Sequence, residues 1–172
     1  MRQLRRMPVA VALLCVVALS GCFKDDGLPD YTKNTICGIS AEVAAEVLGT
    51  GKFEPIDDRR STMPFDGDAP LDNLDGYGAD SICTISTGDS SLVLRGKLIE
   101  PGDAQVARNT AEGMDHVFRH AGGLGGSRNG SGIWACGQVQ LTALTKGDVD
   151  PDDDTLQTVL EEFADVAGCW PS

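Results

Sequence analysis

The chain predicts an α+β fold: three helices packed on a small, mostly antiparallel sheet, stapled by two disulfides. Three observations lead there. Three segments repeat their apolar residues at helical spacing. Two consecutive runs, Ser81–Thr87 and Ser90–Ile99, read as strands around Gly88-Asp89, a dipeptide suited to a two-residue hairpin turn. Four cysteines, Cys37, Cys83, Cys136 and Cys169, are spread through the same region.

The first helix is expected at Ala41–Leu48, with Ser40 as N-cap, Val43, Val47 and Leu48 on one side, and Gly49 as its stop. From Thr50 to Asp80 no period is visible. That segment carries Pro55, Pro64 and Pro70 and many acids, and reads as a long loop of the kind that is often functional. After the two strands, Pro101-Gly102 breaks the chain. Asp103 is expected to cap a longer helix reaching about Ala121, with Val106, Thr110, Met114, Val117, Phe118 and Ala121 at helical spacing.

Gly122–Gly132 (GGLGGSRNGSG) reads as a flexible linker, and Ile133–Leu144 as one strand. In that strand Val139, Leu141 and Ala143 alternate with Gln138, Gln140 and Thr142. Cys136 falls out of phase, so Gly137 is expected at a bulge. The last helix has Asp150 as N-cap and Pro151 at its first position. Its apolar face is Leu156, Val159, Leu160, Phe163 and Val166, and Gly168 ends it before Cys169.

The N-terminal residues concern export. Arg2, Arg5 and Arg6 precede an apolar run, Val9–Leu19, too short to cross a bilayer. Leu19-Ser20-Gly21-Cys22 follows and resembles the lipobox of bacterial lipoproteins. The resemblance implies cleavage before Cys22, diacylglyceryl attachment at its thiol, and acylation of the new amino terminus by a chain such as palmitate. Residues 1–21 are then a lipoprotein signal peptide, 22–35 a membrane tether, and 36–172 a single disulfide-stabilised domain. Loss of the three arginines takes the formal net charge from −12 to −15. More than one acyl chain holds a protein stably on a membrane. The acidic body is expected to stand off an anionic surface and to avoid nucleic acid.

Cys15 leaves with the signal and Cys22 carries lipid, so the remaining four cysteines imply two disulfides in an oxidising compartment. Four cysteines allow three connectivities. Cys37–Cys83 with Cys136–Cys169 is favoured, because each pair ties a helix end to a neighbouring strand. Each bridge closes a long loop, worth about 4 kcal/mol in the chain-entropy account. No CxxC occurs, and no pair has zinc-ligand spacing.

The order of elements and the cysteines at its outer joins also resemble small exported lipoproteins of actinobacteria. Cys37-Gly38-Ile39-Ser40, Leu48-Gly49 and Ile82-Cys83-Thr84-Ile85 carry the resemblance. It implies a fold and almost nothing of function.

Several constellations carry residue types that chemistry uses. His116 and His120, with Glu112 one turn earlier, make a helical facet able to hold zinc, but the run His-Val-Phe-Arg-His lacks the glutamate of a zinc-protease motif. Asp150, Asp152, Asp154 and Glu161 have calcium-loop spacing, yet Thr155 replaces the required glycine and the segment reads as helix. The glycine-rich run lacks the Lys-Ser/Thr of a phosphate loop. No G-x-S-x-G and no S-x-x-K occurs. Trp134 and Trp170 each sit within two residues of a cysteine and are expected to pack on the disulfides.

The expectation is therefore no enzyme, no cofactor and no metal. It is a lipid-anchored, extracytoplasmic binding or interaction module for another envelope component. The acidic 50–80 segment and the 122–132 run are its expected contact surface. The alternatives are a cell-envelope hydrolase acting on wall polymer or lipid, which needs a concave pocket with a perturbed titratable group, and ligand or ion capture for a transporter, which needs a sizeable apolar pocket.

Overall fold

A computed structural model of the chain describes residues 35–57 and 80–169. The signal, Cys22, the tether as far as residue 34, most of the acidic segment and Trp170 lie outside the described residues.

A short antiparallel hairpin comes first, β1 (Thr35–Ile36) and β2 (Ile39–Ser40). Cys37 and Gly38 form its turn, both at positive φ. The first helix, α1 (Ala41–Leu48), is where the sequence placed it. The Ser40 hydroxyl accepts from the Val43 N–H, and Gly49 closes the helix in the left-handed region at φ 67°.

The strand β3 (Glu54–Asp57) interrupts what the sequence presented as loop. The hairpin β4 (Asp80–Thr87) and β5 (Ser90–Leu98) matches expectation, with Gly88 at positive φ in its turn.

The middle of the chain departs from the sequence reading. Helix α2 spans Pro101–Glu112: it starts before Asp103, with Pro101 in the first turn and Glu100 as N-cap, and ends nine residues short of Ala121. Three strands follow: β6 (His116–His120), β7 (Gly123–Arg128) and β8 (Ser131–Cys136). The supposed glycine linker is therefore a buried strand and a hairpin turn, with Asn129 and Gly130 at φ 49° and 72°.

The supposed single strand Ile133–Leu144 is two, β8 and β9 (Val139–Lys146), folded at Gly137-Gln138. Cys136 was out of phase because it belongs to the other strand, not because of a bulge. The last helix, α3 (Asp153–Ala167), is capped by Asp152 rather than Asp150, its carboxylate accepting from the Thr155 N–H at 2.8 Å. Its buried residues are Leu156, Val159, Leu160, Phe163 and Ala164.

Seven strands make one antiparallel sheet in the order β3-β4-β5-β9-β8-β7-β6. The expectation of three helices on a small sheet is thus corrected. Among the described residues strands hold 44% against 32% for helices, and the core is dominated by the sheet.

The glycines account for the error, since each makes room for a neighbour. A Cβ at Gly123 would lie 2.3 Å from the Trp134 ring, one at Gly125 would lie 2.1 Å from the Phe118 ring, and one at Gly126 would lie 2.4 Å from the Ala111 carbonyl oxygen. Composition marked a linker where packing requires the absence of side chains.

Helices lie on both faces. On one, α1 and α3 cover a continuous core that includes Leu92, Leu94, Trp134, Val139, Leu141, Leu160 and Phe163. On the other, α2 covers only the β7–β8 half of the sheet, with Ala107 near Ile99 and Ala135, and Ala111 near Leu124 and Ile133. Its contact side is alanine rather than the expected Val106 stripe, and Val106 is 61% exposed. Small residues let the helix axis come close to the sheet over Gly126.

Both disulfides have the favoured pairing, Cys37–Cys83 and Cys136–Cys169. The first ties the β1–β2 turn, just before α1, to β4. The second ties the end of β8 to the residue after the α3 stop. No helix among the described residues is long and apolar enough to cross a membrane.

Candidate functional site

His116 and His120 lie on an edge strand, not a helix. Four residues apart, they share a face in either conformation, because four is an even number of strand steps. That face meets α3. His116 Nε2 is 2.7 Å from Gln157 Oε1 and 3.9 Å from Asp154 Oδ1. His120 Nε2 is 2.6 Å from Asp165 Oδ1, and its Nδ1 is 3.9 Å from Glu161 Oε1. Gln157 Nε2 donates to Glu161 at 2.7 Å. The α3 residues are spaced at three or four positions, so they form one row along the helix. Phe118 stands buried between the two imidazoles.

Ser127 is the direct partner of His116 on β7. Its hydroxyl is fully buried and donates to Asp153 Oδ1 at 2.7 Å. A serine whose proton is held by a carboxylate, with no access from solvent, is placed for structure rather than attack. Glu112 points to solvent, and Asp115 pairs with Arg128 at 2.9 Å. Among the described residues no three His, Cys, Asp or Glu side chains converge as metal ligands. The row therefore acts as a polar seam fastening the edge strand β6 to α3. The Trp134 indole adds to it, donating to the His120 carbonyl at 3.1 Å. Asp152 and Asp154 of the calcium-like spacing are used at the start of α3. The Asp152 carboxyl is held below the usual carboxylate range, first by the Thr155 backbone N–H and then by its hydroxyl.

The second feature is one the sequence did not single out. Where α2 stops, no helix among the described residues covers the outer face of β4, β5 and most of β9. Cross-strand register assembles it: Ile82 opposite Arg95, Thr84 opposite Val93, Arg95 opposite Thr142, Lys97 opposite Gln140, and Val93 opposite Leu144. Arg95, Lys97, Gln140 and Thr142 line a shallow cleft of about 120 Å³. Ligand pockets for drug-sized molecules run to about 300–1,000 Å³, so this one accommodates a single small group. Beside it lies a less polar strip of Ile82, Val93 and Leu144, with Leu144 41% exposed.

β5 and β9 contribute Arg95, Lys97 and Lys146 and no acid, in a chain with 26 acidic and 14 basic residues. The alternation in β9 did mark Gln140 and Thr142 as outward. The β5–β9 pairing, which crosses more than forty residues of chain, left no local signal.

No protein-family model, no curated protein and no solved structure matches the chain.

Proposed function

We propose that the chain is a lipid-anchored, extracytoplasmic binding module whose contact surface is the uncovered outer face of β4, β5 and β9. The carrying observation is that half-covered sheet. Among the described residues α1 and α3 pack on one face of the sheet and α2 on the β7–β8 part of the other, whereas the outer face of β4, β5 and β9 keeps Ile82, Thr84, Val93, Arg95, Lys97, Gln140 and Thr142 at least partly exposed. Two disulfides indicate an oxidising, extracytoplasmic environment. The Leu19-Ser20-Gly21-Cys22 run supports a lipid on Cys22 and a place at the membrane.

This reading moves the contact surface away from residues 122–132, whose strand residues Gly123–Ser127 are buried. The hydrolase reading would rely on the His116–His120 row, and there the α3 side chains occupy both imidazoles.

Photo-cross-linking in the producing cell tests the surface. A photoreactive residue at Thr84 or Val93 is expected to trap one defined species. The same residue at Val106, on the exposed side of α2, is expected to trap none. Adducts from Val106 alone, or from no position, would remove the surface assignment.

A further inference from the structure

We propose that the cleft lined by Arg95, Lys97, Gln140 and Thr142 is an oxyanion site that takes a phosphoryl group of a ligand outside the bilayer. The inference deepens the binding-module reading and rests on it. The register places the four side chains at the corners of one patch: Arg95 faces Thr142, and Lys97 faces Gln140, on adjacent antiparallel strands. Directly opposed residues stand about 5 Å apart, and neighbours along a strand face about 7 Å apart. One tetrahedral group is spanned by those dimensions, and the cleft volume admits it.

All four side chains donate hydrogen bonds. The guanidinium presents a planar fork that suits two oxygens of an anion, and the ammonium supplies a point charge. The Gln140 amide and the Thr142 hydroxyl add neutral donors. Arg95 also makes an interaction within the protein, and a guanidinium carries five N–H donors in all. Lys146 lies further along the same face of β9. Asp80 holds the register position across from Lys97.

Charge selects the class. A phosphate monoester carries about 1.5 to 2 negative charges at neutral pH and three acceptor oxygens, which uses two cations and two further donors more fully than a carboxylate does. The same charges select the source. A body with a formal net charge of −12 over the whole sequence, and −15 once residues 1–21 are removed, is repelled by a polyanion or an anionic bilayer, whereas a cationic island on it still accepts one isolated phosphoryl group. The neighbouring Val93 and Leu144 give the rest of the ligand a partly apolar shelf.

The test uses inorganic phosphate as the probe. It is titrated at low ionic strength into the purified, disulfide-intact, isotope-labelled protein while the backbone amide resonances are followed. Saturable shifts are expected within 93–97 and 140–144. Arg95→Gln and Lys97→Gln are each expected to weaken the affinity about ten-fold, as loss of a charge-assisted hydrogen bond does. Arg95→Lys, which keeps the charge and loses the fork, should fall between. Arg108→Gln on α2 serves as the control and should match the unaltered protein. Undisturbed resonances elsewhere show that each variant is folded.

Shifts that never saturate, or that persist unchanged in both glutamine variants, overturn the site. Binding to vesicles containing phosphatidic acid, with none to inorganic phosphate, overturns the source. If phosphate fails while Thr84 and Val93 still cross-link their species, the phosphoryl assignment falls and the binding-module reading stands. If both fail, both fall.

Discussion

Ser40 and Glu162, 122 residues apart, are joined by two hydrogen bonds. The Ser40 backbone N–H donates to Glu162 Oε2 at 2.5 Å, and the Ser40 hydroxyl donates to Oε1 at 3.0 Å. The same hydroxyl oxygen accepts from the Val43 N–H. One residue thus caps α1, ends the β1–β2 hairpin and fastens both to α3. Glu162→Ala leaves the Ser40 N–H partly buried without its partner. A loss of about 1–3 kcal/mol is expected, read from chemical denaturation, with Ser40→Ala costing a comparable amount, since it keeps the backbone bond but loses the α1 cap.

Gly126 and Gly102 should respond to alanine in opposite directions. At Gly126 the new methyl would lie 2.4 Å from the Ala111 carbonyl oxygen and 2.8 Å from Met114 Cβ, and a backbone oxygen cannot swing aside. Gly126→Ala is expected to destabilise by about 1–3 kcal/mol, as overpacking does. At Gly102, in the first turn of α2, nothing lies within 4 Å. Gly102→Ala should be neutral or stabilise by up to about 1 kcal/mol. Paired thermal melts read both.

These glycines also show where the sequence was legible. The first helix could be read because its signals are local: Ser40, three apolar residues on one side, and Gly49 all lie within ten positions. The β4–β5 hairpin could be read for the same reason, and the disulfide pairing followed once helix ends were set beside strands. In β6–β8 the deciding contacts are not local. Phe118 lies over Gly125, Trp134 over Gly123, and Ala111 against Gly126. A sequence window shows only glycines there. Val117 and Phe118 satisfy a helical count and a strand count alike, so period alone did not separate them. The cleft was invisible for a related reason, since Arg95 and Thr142 meet only through the β5–β9 register.

Asp152 links pH to stability at the start of α3. Its folded pKa lies below the unfolded value, so the cap contributes above the ordinary carboxylate range and is lost as pH falls through the folded pKa. Asp152→Ala should therefore melt earlier than the unaltered protein at neutral pH. The gap should close as the pH falls through the folded pKa, where the native cap is protonated too. A gap that stays constant through that fall would mean the carboxylate charge is not what holds Thr155.

The disulfides should matter more than any single polar contact. Cys37–Cys83 and Cys136–Cys169 close loops with sequence separations of 46 and 33. In the chain-entropy account each is worth about 4 kcal/mol. Replacing Cys136 and Cys169 together by serine should lower the melting temperature by well over the effect of Asp165→Asn. That substitution removes an exposed contact to His120 worth no more than about 1 kcal/mol.

Export, anchoring and the disulfide frame converge on one measurement: the intact mass of the protein taken from native membranes, alkylated before and after reduction. A binding module held outside the cytoplasm by lipid should begin at Cys22 and carry the added mass of acyl chains. It should take up no alkyl group before reduction and four after it, at Cys37, Cys83, Cys136 and Cys169. An uncleaved or lipid-free amino terminus, or thiols that react without reduction, would contradict it.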